Sequence, residues 1–275
     1  GQPARLGWLG GIAAILGFAV FFCTIPVSFK KQRRFFVGTA WFAAVQLIQL
    51  SWMTSIEFQG YYVLFVYLLL AVGLAAQFGF LTWLIPSTGR IPLSKLFFCA
   101  AIWTLMEWLR LFFLCGFSWN PIGLALTDCL YSLQMSSIFG VFGLSFWVML
   151  TNLWAVNIWR AKRKSFYFVS WGAMACIPYF FGIVHLNHHS SKNQGYPDQL
   201  RVALVQTALL PTQKIPHLDR MMDFISPLEQ WTRIIHSLKS KQAARWDLII
   251  LPEAAVPLLS DQGFYQYETI RELLI

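Results

Sequence analysis

Few residues of this sequence have types that do chemistry in apolar surroundings, and each can be weighed singly. Glu253 follows the apolar run Leu248-Ile249-Ile250-Leu251-Pro252. A carboxylate just past the C-terminal end of a buried strand stands at the edge where α/β sheets place their ligands. Pro252 before it and Pro257 after it stiffen the backbone that carries it. Partial burial there suits a carboxylate to accept protons; a surface glutamate in a strand-to-helix turn has the same local sequence. Glu107 and Arg110 stand three apart, so they share a helix face and can pair. Inside an apolar span such charges are costly unless paired or wet. They read as a lipid-headgroup contact, as support for a site at that end of the helix, or as a structural ion pair. His185, His188 and His189 stand at i, i+3 and i+4. Two or three of them can face one way and bind metal, but no Glu or Cys accompanies them, which favours an interfacial cluster without metal. The five cysteines (Cys23, Cys99, Cys115, Cys129 and Cys176) lack metal-ligand spacing; Cys115 and Cys129 flank one loop and are able to pair.

The elements that must position these residues follow from composition. Of 275 residues, 57% are hydrophobic and only 12% charged, with a mean hydropathy of +0.56. An average soluble domain carries roughly 25% charge. A disordered chain is excluded, and an ordinary cytosolic globule fits poorly. Residues 1–189 hold twelve Lys/Arg against three acids (Glu57, Glu107 and Asp128), whereas residues 190–275 hold nine of each, so the whole net charge of +9 belongs to the first part. A basic excess confined to an apolar region fits anchors facing anionic lipid, not a nucleic-acid surface.

Six runs approach the ~20 residues that cross ~30 Å of hydrocarbon: Leu6–Phe29, Phe35–Ile56, Tyr61–Ile85, Leu96–Leu114, Ser136–Trp159 and Phe166–Leu186. Lys30, Lys31, Arg33 and Arg34 separate the first two; Arg90 and Lys95 lie between the third and fourth; Arg160, Lys162, Arg163 and Lys164 lie between the fifth and sixth. The connections around Glu57–Gly60 and Gly116–Tyr131 contain no Lys or Arg. Alternate loops are basic, the positive-inside pattern, so they are expected in the cytoplasm and residues 190–275 outside it. Six spans place Gly1 outside as well. The start at Gly, with no basic leader before Leu6–Phe29, leads us to expect a missing earlier span, and the apolar pattern at Ile275 an interrupted C-terminus. Gln46, Gln49 and Asn152 are expected to hydrogen-bond between helices. The segment Cys115–Gly123, with Gly, Pro, Phe and Trp, suits a shallow re-entrant loop on the outer face.

After Gly195-Tyr196-Pro197-Asp198 the texture changes. Leu200–Gln206 reads as a buried strand, Asp219–Ala244 as a helix whose start Pro227 breaks, Trp246–Glu253 as a second strand, and 261–275 as a second helix. The fold class is therefore a polytopic α-helical membrane bundle (1–189) followed by the start of an α/β soluble domain (190–275).

Asp247–Pro257 resembles the glutamate motif of the nitrilase, or carbon–nitrogen hydrolase, superfamily, and Val202–Gln206 resembles its opening strand. One branch places that domain after membrane helices: the apolipoprotein N-acyltransferase family. Glu107-Trp108-Leu109-Arg110, Gly116-Phe117-Ser118-Trp119 and Gly123 look like its outer loop, and Gly140–Phe146 with Asn152 like its next helix. The resemblance covers nearly the whole chain. It implies an αββα nitrilase-like outer domain, eight spans of which these six are the second to seventh, and a bacterial inner membrane. It also implies an acyl chain passed from a phospholipid donor to a cysteine, then to the α-amine of a diacylglyceryl-apolipoprotein acceptor. The partners are these two lipids and the bilayer, without nucleic acid, cofactor or metal. Glu253 would be the catalytic proton acceptor, with a lysine and a cysteine downstream; Glu107, Arg110, Trp119 and Gln206 would contact substrate. No cysteine follows Cys176, and Lys214, Lys239 and Lys241 all precede Glu253, so these residues alone are expected to be catalytically incomplete. Thr207-Ala208 and Ile215 depart from the family pattern near the acyl site, which puts donor preference in question. Two rivals share parts of the pattern. One is a membrane-anchored amidase or nitrilase using the same chemistry; the other is a transporter or scaffold, against which the lack of internal repeats speaks.

Overall fold

A computed structural model of the protein describes residues 7–112, 116–192, 200–214, 223–240, 246–252 and 255. The chain divides into two compact units, Gly1–Gln194 and Gly195–Ile275.

The first unit is helical: α1 (Gly7–Thr24), α2 (Lys31–Gln49), α3 (Ile56–Gln59), α4 (Tyr62–Leu84), α5 (Leu93–Leu109), α6 (Leu130–Leu133), α7 (Ser136–Arg160) and α8 (Lys164–Lys192). Each of the six apolar runs becomes one long helix. Three of them, Tyr62–Leu84, Ser136–Arg160 and Lys164–His189, are long and apolar enough to cross a membrane, and Gly10–Thr24 is a shorter apolar helix. Large side chains such as Phe36, Phe65, Phe166, Val169 and Phe180 are three-fifths or more exposed around this unit. Water would not tolerate so much contiguous apolar surface; lipid does. The second run is shorter than expected, because α2 stops at Gln49 and a 3-10 turn follows over Ser51–Met53. Ser51 Oγ donates to the Ile48 carbonyl (2.9 Å) and Thr54 Oγ1 to that of Ser51 (2.6 Å), local bonds that compete with helix propagation.

Rings hold the centre. Phe18, Phe21 and Phe22 of α1, Trp41 and Phe42 of α2, Phe78 of α4 and Trp103 of α5 form one cluster, with Phe78 centroids 5.1 Å from those of Phe18 and Phe42. Between helices in lipid the gain comes from such contacts, since the tails outside are as apolar as the core. Small residues bring α2 and α4 together: a Cβ on Gly38 would strike Thr82, and one on Gly79 would strike Thr39 and the Phe35 carbonyl.

Side chains close the ends. The three basic connections meet at one end of the bundle. Arg34, buried, donates from Nη1 to the Ile85 carbonyl and to Ser87 Oγ, both at 2.8 Å. Arg160 donates to the Pro86 carbonyl (2.8 Å) and Arg90 to Tyr167 Oη (3.0 Å). Asn157 accepts from the Ile91 N–H (2.8 Å) and donates to its carbonyl (3.1 Å). At the other end Trp52 meets Trp119 (5.2 Å between centroids), and the Gly182 backbone lies against Tyr131. The alternation of basic and non-basic loops is thus an alternation of ends. Asn152 joins helices as expected: its Oδ1 accepts from the Ala19 N–H (3.1 Å) and its Nδ2 donates to the carbonyls of Ala14 and Val148. The other two amides differ from expectation: Gln46 is buried with Oε1 unpartnered and Gln49 is exposed. Among the described residues neither amide has a hydrogen bond to a neighbouring helix.

In the second unit β1 (Val202–Leu204), α9 (Pro211–Lys214), α10 (Pro227–Ser240) and β2 (Leu248–Ile250) follow in order. The strands are parallel, with Ala203 opposite Ile249. Both are shorter than the apolar runs that contain them. Pro227 does not interrupt a helix but begins one: it occupies the first position of α10, Ser226 Oγ accepts from the Glu229 N–H (3.2 Å), and Ser226 with Glu229 has the spacing of a capping box. Ile234 and Ile235 are buried beneath α10. The expected helix over 261–275 lies outside the described residues.

Replacing Asn157 by Leu leaves both polar groups of Ile91 buried and unpaired. The expected loss is about 2–4 kcal/mol, taking about 1–2 kcal/mol for each. It should appear as a lowered melting temperature of the detergent-solubilised protein, with helix content retained below that temperature.

Candidate functional site

Glu107 lies in the last turn of α5, one turn after Trp103, and is 3% exposed. Its Oε1 accepts twice, from Trp103 Nε1 and from the backbone N–H of Ile122, each at 2.9 Å. The first bond fixes the rotamer of the carboxylate from within its own helix. The second binds it to the start of a 3-10 turn over Ile122–Leu126. Its other oxygen, Oε2, has no hydrogen-bond partner. Arg110 caps α5 and is also buried, but its Nε donates to Gln77 Oε1 of α4 (2.9 Å). Among the described residues the one ion pair within 4.0 Å is Arg233–Glu229, at 2.6 Å in α10. Glu107 and Arg110 therefore attract through space without touching. The direct pair that their spacing permits is replaced by neutral partners, because Trp103, Gln77 and the Ile122 amide offer better-placed bonds.

The next residue continues the clamp. The Gly123 N–H donates to Ser145 Oγ of α7 (3.0 Å), and a Cβ at Gly123 would strike the Val141 carbonyl and lie 2.7 Å from the Ser145 nitrogen. Only glycine lets the turn lie this close to α7. Gly140, at φ 63° and ψ −173°, breaks α7 one residue before Val141. Ser132 Oγ donates to the Leu126 carbonyl, so the far end of the turn is tied down too. In the expected re-entrant segment, Phe117 is buried with Leu50, Leu70 and Leu74, whereas Trp119 is 58% exposed. Asn120 takes a left-handed backbone (φ 56°) that redirects the chain into Pro121.

The sequence-predicted site residues fall into three groups. Glu107, Arg110 and Trp119 belong to the non-basic end of the first unit, where Glu107 holds the loop that carries Trp119 and Arg110 ties the end of α5 to α4. Gln206 is exposed in the second unit and lines a cavity of about 390 Å³ with Thr207, Gln230, Arg233 and Trp246. Glu253 and Cys115 lie outside the described residues. Sequence reasoning gave no part to Ser145 or Gln77. Gln77 had a signal, as the lone amide in the apolar run Tyr62–Leu84; Ser145 sat among glycines without one.

A helical bundle with lipid-facing sides and a buried carboxylate clamping a loop at its non-basic end defines a class of polytopic membrane protein. The family model for the apolipoprotein N-acyltransferase N-terminal domain matches residues 4–154, more than half of the sequence, and the chain belongs to this family. It is 27% identical over 281 residues to an apolipoprotein N-acyltransferase of Chlamydia pneumoniae, covering 99% of this chain and 50% of that protein. The corresponding enzyme of Chlamydia caviae is 30% identical over 85% of this chain and 42% of its own length. That of Pasteurella multocida is 28% identical over 64% of this chain and 33% of its own length. The chain thus spans half or less of the length of these relatives.

If Glu107 holds the loop through Ile122, Glu107→Ala should speed amide exchange at Ile122 and Gly123 by at least about tenfold, the equivalent of about 1.4 kcal/mol of a lost buried bond. Glu107→Gln keeps an acceptor oxygen and should retain most of the protection. Hydrogen–deuterium exchange read by mass spectrometry on peptides covering 116–126 distinguishes the two.

Proposed function

We propose that this chain is part of an enzyme that N-acylates lipoproteins: an acyl chain leaves a phospholipid, rests on an enzyme cysteine as a thioester, and is passed to the α-amine of a diacylglyceryl-cysteine. The family match over residues 4–154 carries this reading. In the first half-reaction Glu253 takes the thiol proton and the thiolate attacks the ester carbonyl. A lysine steadies the oxyanion, and collapse expels the lysophospholipid alkoxide, which regains a proton from Glu253. In the second half-reaction the amine attacks the thioester, Glu253 accepts its proton, and the thiol is restored. Of this triad only the glutamate stands among these residues; the lysine and cysteine are to be sought downstream of it in the full chain.

We assign residues 1–189 to a transmembrane domain in the bacterial inner membrane and residues 190–275 to the N-terminal part of an extracytoplasmic nitrilase-like domain. Two features support the assignment. The basic connections gather at one end of the bundle, which the positive-inside rule puts in the cytoplasm. The parallel pair β1–β2 ends three residues before Glu253 in sequence, the arrangement in which α/β domains offer a catalytic side chain. Trp119, exposed beside Trp52, suits the lipid interface, while buried Glu107 holds the loop that presents it and Arg110 fixes the end of α5 against α4. Gln206 is assigned to the acyl-binding side of the outer domain.

Glu253→Gln in the full chain should lower N-acylation of a lipoprotein substrate by a hundredfold or more, the usual order for loss of a general base. Membrane insertion should be unchanged. Mass spectrometry of the lipoprotein N-terminus reads the product; near-normal acylation by the variant removes Glu253 from the mechanism.

A further inference from the structure

The last turns of α8 bring two imidazoles together in a way the acyl-transfer reading does not use. His185 Nε2 and His189 Nε2 lie 3.1 Å apart, with ring centroids at 4.4 Å. His185 is held from two sides: its ring stacks on Phe181 (5.4 Å, 21° between planes), and its Nδ1 is 3.1 Å from Gln134 Oε1. The orientation of that amide is itself fixed, because Gln134 Nε2 donates to the Leu130 carbonyl at 3.1 Å. An amide oxygen only accepts, so Nδ1 of His185 carries the proton and its Nε2 presents a bare lone pair towards His189.

We propose that His185 and His189 chelate a borderline divalent transition ion of the Zn²⁺ or Cu²⁺ class through their two Nε2 atoms. With metal–nitrogen bonds of ~2.0–2.1 Å, adjacent ligands stand about 2.9 Å apart at a right angle and about 3.3 Å apart in a tetrahedron. The observed separation falls between these values, so the ion enters with small ring rotations. His189 is exposed and gives the way in, while His185 is half-buried and provides the fixed ligand. On binding, the proton on His189 Nε2 gives way to one on Nδ1, which frees the second nitrogen lone pair for the ion. Gln134 acts as the outer partner that holds the tautomer and the plane of the first ligand. Among the described residues no group of three or more His, Cys, Asp or Glu assembles, so water completes the coordination. The His188 ring lies farther off, its centroid 5.7 Å from that of His189, and is not a ligand. The chelate would span one turn of α8 beside the α6 contact, tying the helix end to the loop that Gln134 belongs to.

The detergent-purified full chain, free of metal and of any polyhistidine tag, is titrated with ZnCl₂ by calorimetry and loaded with CuSO₄ for electron paramagnetic resonance. One site is expected, with Cu²⁺ spectra showing two imidazole nitrogens. His185→Ala and His189→Ala should each weaken Zn²⁺ binding at least about tenfold, and Gln134→Ala by roughly tenfold. His188→Ala should stay within about twofold of the parent, and melting temperatures taken without metal verify that each variant is folded. Equal Zn²⁺ affinity in the parent and the His185→Ala/His189→Ala double variant overturns the proposal, as does a loss on His188→Ala as large as that on His189→Ala.

Discussion

Where a backbone leaves its helix inside hydrocarbon, no water waits to bond it, and this bundle meets that constraint with side chains. Glu107 takes the amide of Ile122, Ser145 that of Gly123, Asn157 both groups of Ile91, and Arg34 and Arg160 the carbonyls of Ile85 and Pro86. Every one of these donors or acceptors sits near a helix end or on a neighbouring helix, facing a connection. A charge buried in lipid is expensive by itself, but a charge that satisfies two otherwise orphaned groups offsets their desolvation as well as its own. The polar residues of the first unit are accordingly a set of clasps, and the connection between α4 and α5 is the one with the most of them.

That distribution explains which inferences the sequence carried. Apolar length and the position of Lys and Arg are read directly from the sequence, so the six helices and the two kinds of loop were legible, though several helix ends lie five to seven residues from the run boundaries. The partner of a polar side chain depends on packing, and there spacing misleads. Glu107 and Arg110 share a face of α5, yet Gln77 from α4 intercepts the guanidinium, and nothing local to α5 announces it. Gln46 and Asn152 are both amides in apolar runs; Asn152 finds the backbone of α1, whereas Gln46 finds no partner for its oxygen.

In the second unit the local code was present but read in the wrong order. Pro227 looked like a break in a long helix, although Ser226 before it and Glu229 after it form a start signal with Pro at the first position. The strands were found by their apolar runs, but their length was not, because run length measures hydrophobicity and pairing measures backbone partners. Glu253 gained its interest from family resemblance and from its place after β2, neither of which periodicity reveals.

The amide of Asn152, which reaches both a carbonyl and an N–H of α1, has a consequence for assembly. Sliding α1 by one residue along α7, or turning it by the hundred degrees or so that accompany such a step, would strand two polar groups in a dry seam. Greasy surfaces alone slip past one another at little penalty. Here a single side chain works as a detent, so two helices that meet in the bilayer find one alignment rather than several.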